Sequence, residues 1–174
     1  MSPAADLRRW IRDVPDFPKP GIQFKDITPL LSNPDAFGAA IDRLAEWYSG
    51  ARIDTIAAAE ARGFIFGAPL ALKLHAGFVP IRKPGKLPYA TVACEYQLEY
   101  GTDTLEVHTD AFAPGRRVLL LDDVLATGGT MRACCDLVKQ TGAELVGCAF
   151  VLELSFLHGR AKLAPIEVMS LITY

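Results

Sequence analysis

The sequence predicts an α/β fold, with a doubly wound, mainly parallel five-stranded central sheet and helices on both faces. Short apolar runs alternate along the chain with segments of helical periodicity, an order typical of a parallel sheet covered on both sides. Residues 118–121 are apolar without interruption, as expected for a strand buried on both faces. The chain has 174 residues, 51% of them hydrophobic, and shows no repeat or low-complexity linker. We therefore expect a single domain over residues 1–174.

The N-terminal part departs from this alternation. Apolar residues recur at helical spacing between residues 7 and 14 and predict a short amphipathic helix. Residues 15–21 contain three prolines and a glycine, so we expect an irregular, extended segment there. The next helix is expected to begin at Asn33, which precedes a proline, and to stop at Gly50.

The rest of the chain supplies the sheet. The expected strands cover residues 53–58, 78–81, 118–121, 145–152 and 168–172. Helices are expected over residues 64–74 and from Thr130 to about Gln140. Two β-like runs on either side of Gly101 predict a hairpin inserted into this pattern. Insertions at the carboxyl ends of strands commonly carry function.

Composition and charge narrow the range of partners. The net charge of −2 implies no general attraction to nucleic acid or anionic lipid, so an anion site must be local. No apolar run approaches the ~20 residues that a membrane span needs, and residues 1–12 lack the apolar core of a secretory signal. The four cysteines fit neither a C-x-x-C motif nor a disulfide framework. We therefore expect a cytoplasmic protein with small-molecule partners.

Two acids and a glycine-rich loop follow residues 118–121. The acids are Asp122 and Asp123, and the loop consists of Ala126, Thr127, Gly128, Gly129 and Thr130. A strand, a Gly/Thr loop and a helix start gather backbone N–H groups, hydroxyls and the helix dipole at one point, which suits a phosphate. The acids would repel that phosphate and suit neighbouring hydroxyls or a hydrated cation, so the pattern favours a sugar phosphate. The alternative is an ordinary glycine turn with two solvated acids.

Four basic residues follow two other predicted strands. They are Arg62, Arg82, Lys83 and Lys86. Loops after parallel strands open onto the same sheet edge, so these cations should face the glycine-rich loop, and a guanidinium there can bind a phosphate through two hydrogen bonds. Pro84 and Gly85 indicate a segment able to close over a ligand. Surface pairing or simple solvation of these charges is the alternative.

Several stretches resemble one enzyme family. Residues 118–130 are similar to the phosphoribosyl-diphosphate (PRPP) signature of the type I phosphoribosyltransferases. Motifs that resemble the adenine phosphoribosyltransferases in particular occupy residues 16–29, 59–67, 82–88, 98–101 and 152–165. These motifs stand in the family's order, and the resemblance covers the chain from about Phe17 to Tyr174.

The resemblance implies a purine salvage enzyme that transfers the 5-phosphoribosyl group from PRPP to adenine, giving AMP and diphosphate. It implies Mg2+ as the cofactor, held through PRPP and water with no direct protein ligand, and a homodimer. It also implies an N-terminal hood over the base at about residues 1–32 and a flexible catalytic loop at about residues 83–108. A cis peptide bond between Glu60 and Ala61 is implied as well.

The same resemblance assigns roles around PRPP. The glycine-rich loop would hold the 5′-phosphate, chiefly through backbone N–H groups and the hydroxyls of Thr127 and Thr130. Asp122 and Asp123 would accept hydrogen bonds from the ribose hydroxyls and favour the positive charge that develops on the ribose. The four basic residues would take up charge on the departing diphosphate.

It assigns a second set of roles around the base. Phe24 and Leu154 would sandwich the adenine ring, while Gln23 and Lys25 would present backbone and side-chain groups to its edge. Glu99 would act as general acid or base at the purine N7. Tyr100 would close the catalytic loop over the site and exclude water.

Two alternatives to adenine transfer stay open. Gln23 and Lys25 stand where relatives often have an apolar residue and an arginine. The first alternative is therefore a related phosphoribosyltransferase for hypoxanthine, guanine, xanthine or orotate. The second is a non-catalytic, PRPP-sensing regulator, which predicts an added helix-turn-helix domain and a basic surface. The sequence shows neither feature.

Overall fold

The structure, a computed structural model, describes residues 6–97 and 101–174. Within these two segments the strands are β1 (Arg12–Pro15), β2 (Gln23–Asp26), β3 (Thr55–Ala59), β4 (Gly77–Ile81), β5 (Thr91–Gln97), β6 (Thr102–His108), β7 (Arg117–Leu125), β8 (Glu144–Glu153) and β9 (Val168–Thr173). The α-helices are α1 (Thr28–Ser32), α2 (Pro34–Trp47), α3 (Gly63–Lys73), α4 (Gly129–Gln140) and α5 (Gly159–Leu163). None of the described helices is long and apolar enough to cross a membrane.

A parallel five-stranded sheet forms the centre of the molecule, as predicted. Its strand order is β4-β3-β7-β8-β9, and every neighbouring pair is parallel. The strand β7 therefore lies in the middle, and its residues 118–121 are fully buried. The carboxyl ends of the five strands meet at one edge, so the loops that follow them gather there.

Helices cover both faces of this sheet, which confirms the doubly wound prediction. Alternate residues of β7 point to opposite faces. Leu119 and Leu121 belong to one buried cluster with apolar residues of α2 and α3, whereas Leu120 belongs to a second cluster with α4 and β6. Burial from both sides explains why this strand is apolar at consecutive positions.

The segment before the sheet differs from the sequence prediction. A 3-10 helix spans Leu7–Trp10, but the chain after it is extended, and β1 pairs antiparallel with β2 so that Val14 lies opposite Phe24. Leu7 is buried in the core, which accounts for the apolar spacing at the start of the predicted helix. The predicted helix does not continue past Trp10 because the chain pairs with β2 from Arg12 onward. Apolar spacing alone does not reveal such a pairing.

The predicted hairpin is present as β5 and β6. The two strands pair antiparallel, with Thr91 opposite His108 and Gln97 opposite Thr102. Leu105 and Val107 of β6 are buried in the same cluster as α4. The hairpin therefore packs on the helix that follows the glycine-rich loop, rather than extending the central sheet.

A buried carboxylate fixes α5 against the end of the sheet. Glu153, the last residue of β8, accepts hydrogen bonds from Arg160 Nε at 3.0 Å and from Ser170 Oγ at 2.7 Å. Arg160 Nη1 in turn donates to the carbonyl of Val168 at 2.6 Å. The hydrogen bonds from Arg160 are the main cause that lowers the pKa of Glu153. The carboxylate thus joins α5 to both β8 and β9.

We expect Glu153→Gln to lower the free energy of unfolding by about 1–2 kcal/mol near neutral pH, because a charged acceptor is lost while half-exposed Arg160 keeps part of its hydration. The folded-state pKa of Glu153 is depressed, so its contribution is present above the ordinary value of 4.5 and is lost as the pH falls through the folded-state pKa. Urea unfolding of the wild type and of Glu153→Gln over a range of pH measures this difference in the free energy of unfolding.

Glu144→Gln is the matched control for this prediction. Glu144 also pairs with an arginine, Arg117, but its side chain is 54% exposed, so we expect a change below about 1 kcal/mol. A Glu153→Gln deficit that did not shrink at acidic pH would contradict the assignment of this stability to the ionised carboxylate.

Candidate active site

The predicted site residues gather at the carboxyl edge of the central sheet. Residues 60–63 follow β3, residues 82–88 follow β4, residues 126–128 follow β7 and Leu154 follows β8. One detail differs from the sequence prediction, because Asp122 and Asp123 lie inside β7, which continues to Leu125. The two acids are therefore held by the backbone pairing of the central strand and not by a loop.

The glycine-rich loop is wedged against the start of α5. Gly128 has a φ of +79°, a left-handed conformation that favours glycine, and it directly precedes α4. A Cβ on Gly128 would lie 2.5 Å from the carbonyl oxygen of Gly159, and a Cβ on Gly159 would collide with the carbonyl oxygen of Ala126. The two backbones are in direct contact, so α5 sets the shape of the loop from behind.

The β5–β6 hairpin approaches this loop from the other side. A Cβ on Gly129 would lie 3.5 Å from the carbonyl oxygen of Gln97 and 3.8 Å from the ring of Tyr96. The Tyr96 hydroxyl donates to Asp103 Oδ2 at 3.3 Å and also interacts with the side chain of Thr130. The loop is thus enclosed between α5 and the hairpin.

The acid pair is largely removed from water. Asp123 is 4% exposed, and its N–H donates to Asp122 Oδ1 at 2.8 Å. Burial raises the pKa of both carboxyls, and the charge of Asp123 raises the pKa of Asp122 further. Arg62 opposes the shift at Asp123, since its Nε lies 2.6 Å from Asp123 Oδ2. Two like charges therefore share a buried position, and one cation offsets them.

Glu60, a residue that sequence reasoning missed, organises the basic segment after β4. Its Oε2 accepts hydrogen bonds from Arg82 Nε at 2.9 Å and from the backbone N–H of Lys83 at 3.0 Å. Arg82 Nη1 also donates to the carbonyl of Lys86 at 3.2 Å. The peptide bond between Glu60 and Ala61 is cis, as the resemblance implied. The signal was visible in the sequence, since an acid directly precedes the loop that contains Arg62.

Lys83 is held by an acid as well. Lys83 Nζ lies 2.9 Å from Asp103 Oδ2 of the hairpin, and this contact raises the pKa of Lys83. The ammonium thereby links the basic segment to the strand that packs over the glycine-rich loop. Lys86 is exposed. Three of the four predicted cations thus carry carboxylate partners.

One pocket brings the predicted base residues and the acid pair together with Ala126 and Thr130 of the glycine-rich loop, whose residues 127–129 line an adjoining cavity. Its lining consists of Ile22, Gln23, Phe24, Lys25, Arg62, Asp122, Asp123, Val124, Ala126, Thr130, Leu154 and Leu157. Phe24 comes from β2, and its ring packs against that of Phe17 with the centroids 5.2 Å apart. Arg62 lies over the Phe24 ring, with Cζ 5.8 Å from the centroid. Sequence reasoning missed three of the apolar members, Ile22, Val124 and Leu157, which no local motif distinguishes from core residues.

The ammonium group of Lys25 is held by other residues of the protein. Its ammonium pairs with Asp13 of β1 and lies 4.0 Å from the centroid of the Tyr174 ring. The side chain is 13% exposed, so these contacts occupy it. Lys25 still lines the pocket, while alternation along β2 directs its side chain away from that of Phe24. Its role at the edge of the base stays a prediction, for which its backbone is the part that remains available.

Glu99 and Tyr100, the predicted catalytic residues of the loop, lie outside the described residues. The described ends of the hairpin, Gln97 and Gly101, stand on either side of them. Their roles stay predictions.

Comparisons with known proteins identify the family of this chain. A family model described as the phosphoribosyl transferase domain matches residues 30–167. The adenine phosphoribosyltransferase of Maridesulfovibrio salexigens is 60% identical to this chain over 96% of the chain and 98% of its own length. The family model thus includes the acid pair and the glycine-rich loop.

Solved structures show the same fold. The adenine phosphoribosyltransferase of Thermoanaerobacter pseudethanolicus superposes with a TM-score of 0.95 at 53% identity, covering 98% of this chain and 99% of that chain. The Saccharomyces cerevisiae enzyme, solved in complex with adenine, gives a TM-score of 0.91 at 42% identity, covering 97% of each chain. This chain therefore belongs to the phosphoribosyl transferase family and, within it, to the adenine phosphoribosyltransferases.

Proposed function

We propose that the pocket between Phe24 and Leu154 receives the adenine that this purine salvage enzyme joins to the 5-phosphoribosyl group of PRPP, with release of diphosphate. One observation carries the assignment: the pocket contains both the apolar walls suited to a planar base and the acid pair suited to a ribose. The yeast relative, solved with adenine, supports the choice of base. Gln23, at the rim, offers hydrogen-bonding groups to the edge of the ring.

The donor side of the reaction follows from the glycine-rich loop and the acid pair. Backbone N–H groups of residues 127–130 and the hydroxyls of Thr127 and Thr130 would bind the 5′-phosphate at the start of α4. Asp122 and Asp123 would accept hydrogen bonds from the 2′- and 3′-hydroxyls. As diphosphate leaves, positive charge grows on the ribose next to these carboxylates, so they would stabilise that charge more than the ground state.

The leaving diphosphate would bind the basic residues that surround the loop. Arg62 and Lys83 have carboxylate partners in the structure, so diphosphate competes with Asp123 and Asp103 for them. Arg82 and Lys86 lie in the segment that Glu60 holds. In this exchange the carboxylates neutralise the cations before diphosphate binds, and diphosphate neutralises them afterwards. Positive charge is therefore never left unpaired beside the buried acids.

Mg2+ fits this arrangement as an ion that arrives with PRPP. Among residues 6–97 and 101–174 no group of three acidic, cysteine or histidine side chains could hold a metal. Mg2+ commonly keeps several of its waters and binds substrate phosphates, so PRPP and water would hold it without a direct protein ligand. When bound, the ion neutralises charge on the diphosphate.

The catalytic loop completes the proposal. Glu99 would hold or release the proton at the purine N7 as N9 bonds to the ribose, and Tyr100 would exclude water from the site. Both residues belong to the segment at about residues 83–108 that follows Arg82, while residues up to about 32 form the hood. The remaining proposals are a cytoplasmic location and small-molecule partners alone, without nucleic acid or membrane.

We expect AMP from adenine and PRPP to form at least about tenfold faster than the product of any other base, since one hydrogen-bonding contact discriminates by roughly 1–3 kcal/mol. The measurement is turnover with adenine, hypoxanthine, guanine, xanthine and orotate in parallel, each with PRPP and Mg2+. Equal rates with adenine and hypoxanthine would contradict the base assignment.

Asp122→Asn should lower kcat by about 100-fold, because it removes charge from beside the developing positive ribose. The variant should nevertheless be at least as stable as the wild type near neutral pH. The folded-state pKa of Asp122 is raised, so the ionised group loses stability as the pH rises through that pKa, and asparagine avoids this loss. Asp123→Asn should lower kcat similarly.

Asp136→Asn on α4 is the control for the acid pair, because Asp136 pairs with Arg132 away from the pocket. We expect its kcat to stay at the wild-type value. Wild-type turnover in both Asp122→Asn and Asp123→Asn would remove the proposed role of the pair.

We also propose that the protein is a homodimer, as the family resemblance implies. Light scattering should give a mass close to twice the 18.9 kDa of the chain. A mass of 18.9 kDa across the working concentration range would contradict this.

A further inference from the structure

Tyr174 contacts the chain segments behind both walls of the proposed base pocket. One wall is Phe24 of β2, and the other is Leu154 with the 3-10 helix Ser155–Leu157 that follows it. We propose that Tyr174 is a positioning residue that sets the separation of these walls and thereby the affinity for the base. The proposal rests on the assignment of the base to this pocket.

The ring of Tyr174 holds the hood wall. Lys25 Nζ lies 4.0 Å from the ring centroid, and the same ammonium pairs with Asp13 of the neighbouring strand β1. Lys25 directly follows Phe24, and successive side chains of a strand point to opposite faces. A contact that fixes Lys25 behind the strand therefore fixes how far Phe24 reaches into the pocket.

A second cation strengthens this contact from the segment before β1. Arg8 Cζ lies 5.3 Å from the centroid of the Tyr174 ring, and Arg8 Nη2 donates to the carbonyl of Thr173 at 2.7 Å. Cation–π contacts are strongest where the cation has lost much of its water, as Lys25 has. The 3-10 helix Leu7–Trp10, which carries Arg8, and the β1–β2 pair are thus both attached to the ring of Tyr174.

The backbone of Tyr174 holds the opposite wall. Its carbonyl accepts hydrogen bonds from the N–H of Ser155 at 3.0 Å and from Ser155 Oγ at 2.6 Å. Its N–H donates to the carbonyl of Glu153 at 2.9 Å. Leu154 stands between these two attached residues and donates its own N–H to the carbonyl of Leu125. Both chain neighbours of Leu154 are therefore hydrogen-bonded to the backbone of Tyr174, which fixes the position of Leu154.

A gap set in this way matters for a flat ligand. Two apolar surfaces bind a planar ring by close contact on both faces, and dispersion attraction falls steeply when a gap of a fraction of an ångström opens. The PRPP residues lie on β7, in residues 126–130 and around Glu60, none of which Tyr174 contacts through the bonds described above. Loss of the ring should therefore weaken the binding of adenine and leave the binding of PRPP intact.

The test compares Tyr174→Ala with Tyr174→Phe. The alanine variant keeps the backbone hydrogen bonds but removes the ring, and we expect its KM for adenine to rise about tenfold. Its KM for PRPP should stay within about twofold of the wild-type value, since the anchor is remote from those residues. The phenylalanine variant keeps the ring and should recover the adenine KM. Lys25→Met, which removes the cation from the other partner, should reproduce the alanine effect if Tyr174→Ala does not fold.

Phe24→Ala and Leu154→Ala separate this proposal from the pocket assignment on which it rests. If neither raises the KM for adenine, the base does not bind there and the pocket assignment fails. If both raise it while Tyr174→Ala and Lys25→Met do not, the pocket stands and the role of Tyr174 is refuted. Equal rises in the KM values for adenine and PRPP, or an equal defect in Tyr174→Phe, would also refute it.

Discussion

Two carboxylates side by side in the central strand impose the main constraint on this molecule. Burial and mutual repulsion raise the pKa of Asp122 and burial raises that of Asp123, so their ionised forms cost stability that the surroundings must offset. Arg62 at 2.6 Å offsets part of that cost. The strand that carries the acids is buried on both faces and paired on both edges, which leaves them no freedom to move apart. A sheet that holds two carboxylates in this way would supply fixed negative charge to the ribose cation that we propose develops beside them.

The basic residues around the loop obey a related constraint. A diphosphate needs several cations, yet cations gathered without partners would repel one another. Glu60 holds Arg82 together with the backbone of Lys83, and Asp103 holds the Lys83 ammonium. If diphosphate binds these cations as proposed, it must replace or join each acid. Its affinity would then be a difference between two sets of ion pairs, which favours release of the product over permanent capture.

Local signals in the sequence were enough to predict the central sheet and the glycine-rich turn before α4. An uninterrupted apolar run marks β7, and Gly128 marks a left-handed turn before α4. The contacts that shape the site were not predictable, because they join distant segments. Gly159 lies behind Gly128, and the ammonium of Lys25 lies over the ring of Tyr174. Neither contact is visible in local spacing or composition. The same is true of the pairing of β1 with β2, which is why the sequence predicted a helix where β1 begins.

The position of Lys25 changes what its identity means for base preference. A lysine where the resemblance implies a common arginine was expected to keep the hydrogen-bonding capacity and to bear on the base preference. With the ammonium on Tyr174 and Asp13, either cation would meet an aromatic ring and a carboxylate, contacts that both lysine and arginine make. With the base in the proposed pocket, the identity of residue 25 would act on the placement of Phe24 and leave the edge of the base to Gln23 and the backbone. Base selectivity would then depend on the gap between the walls formed by Phe24 and Leu154, for which we propose Tyr174 as the shared anchor.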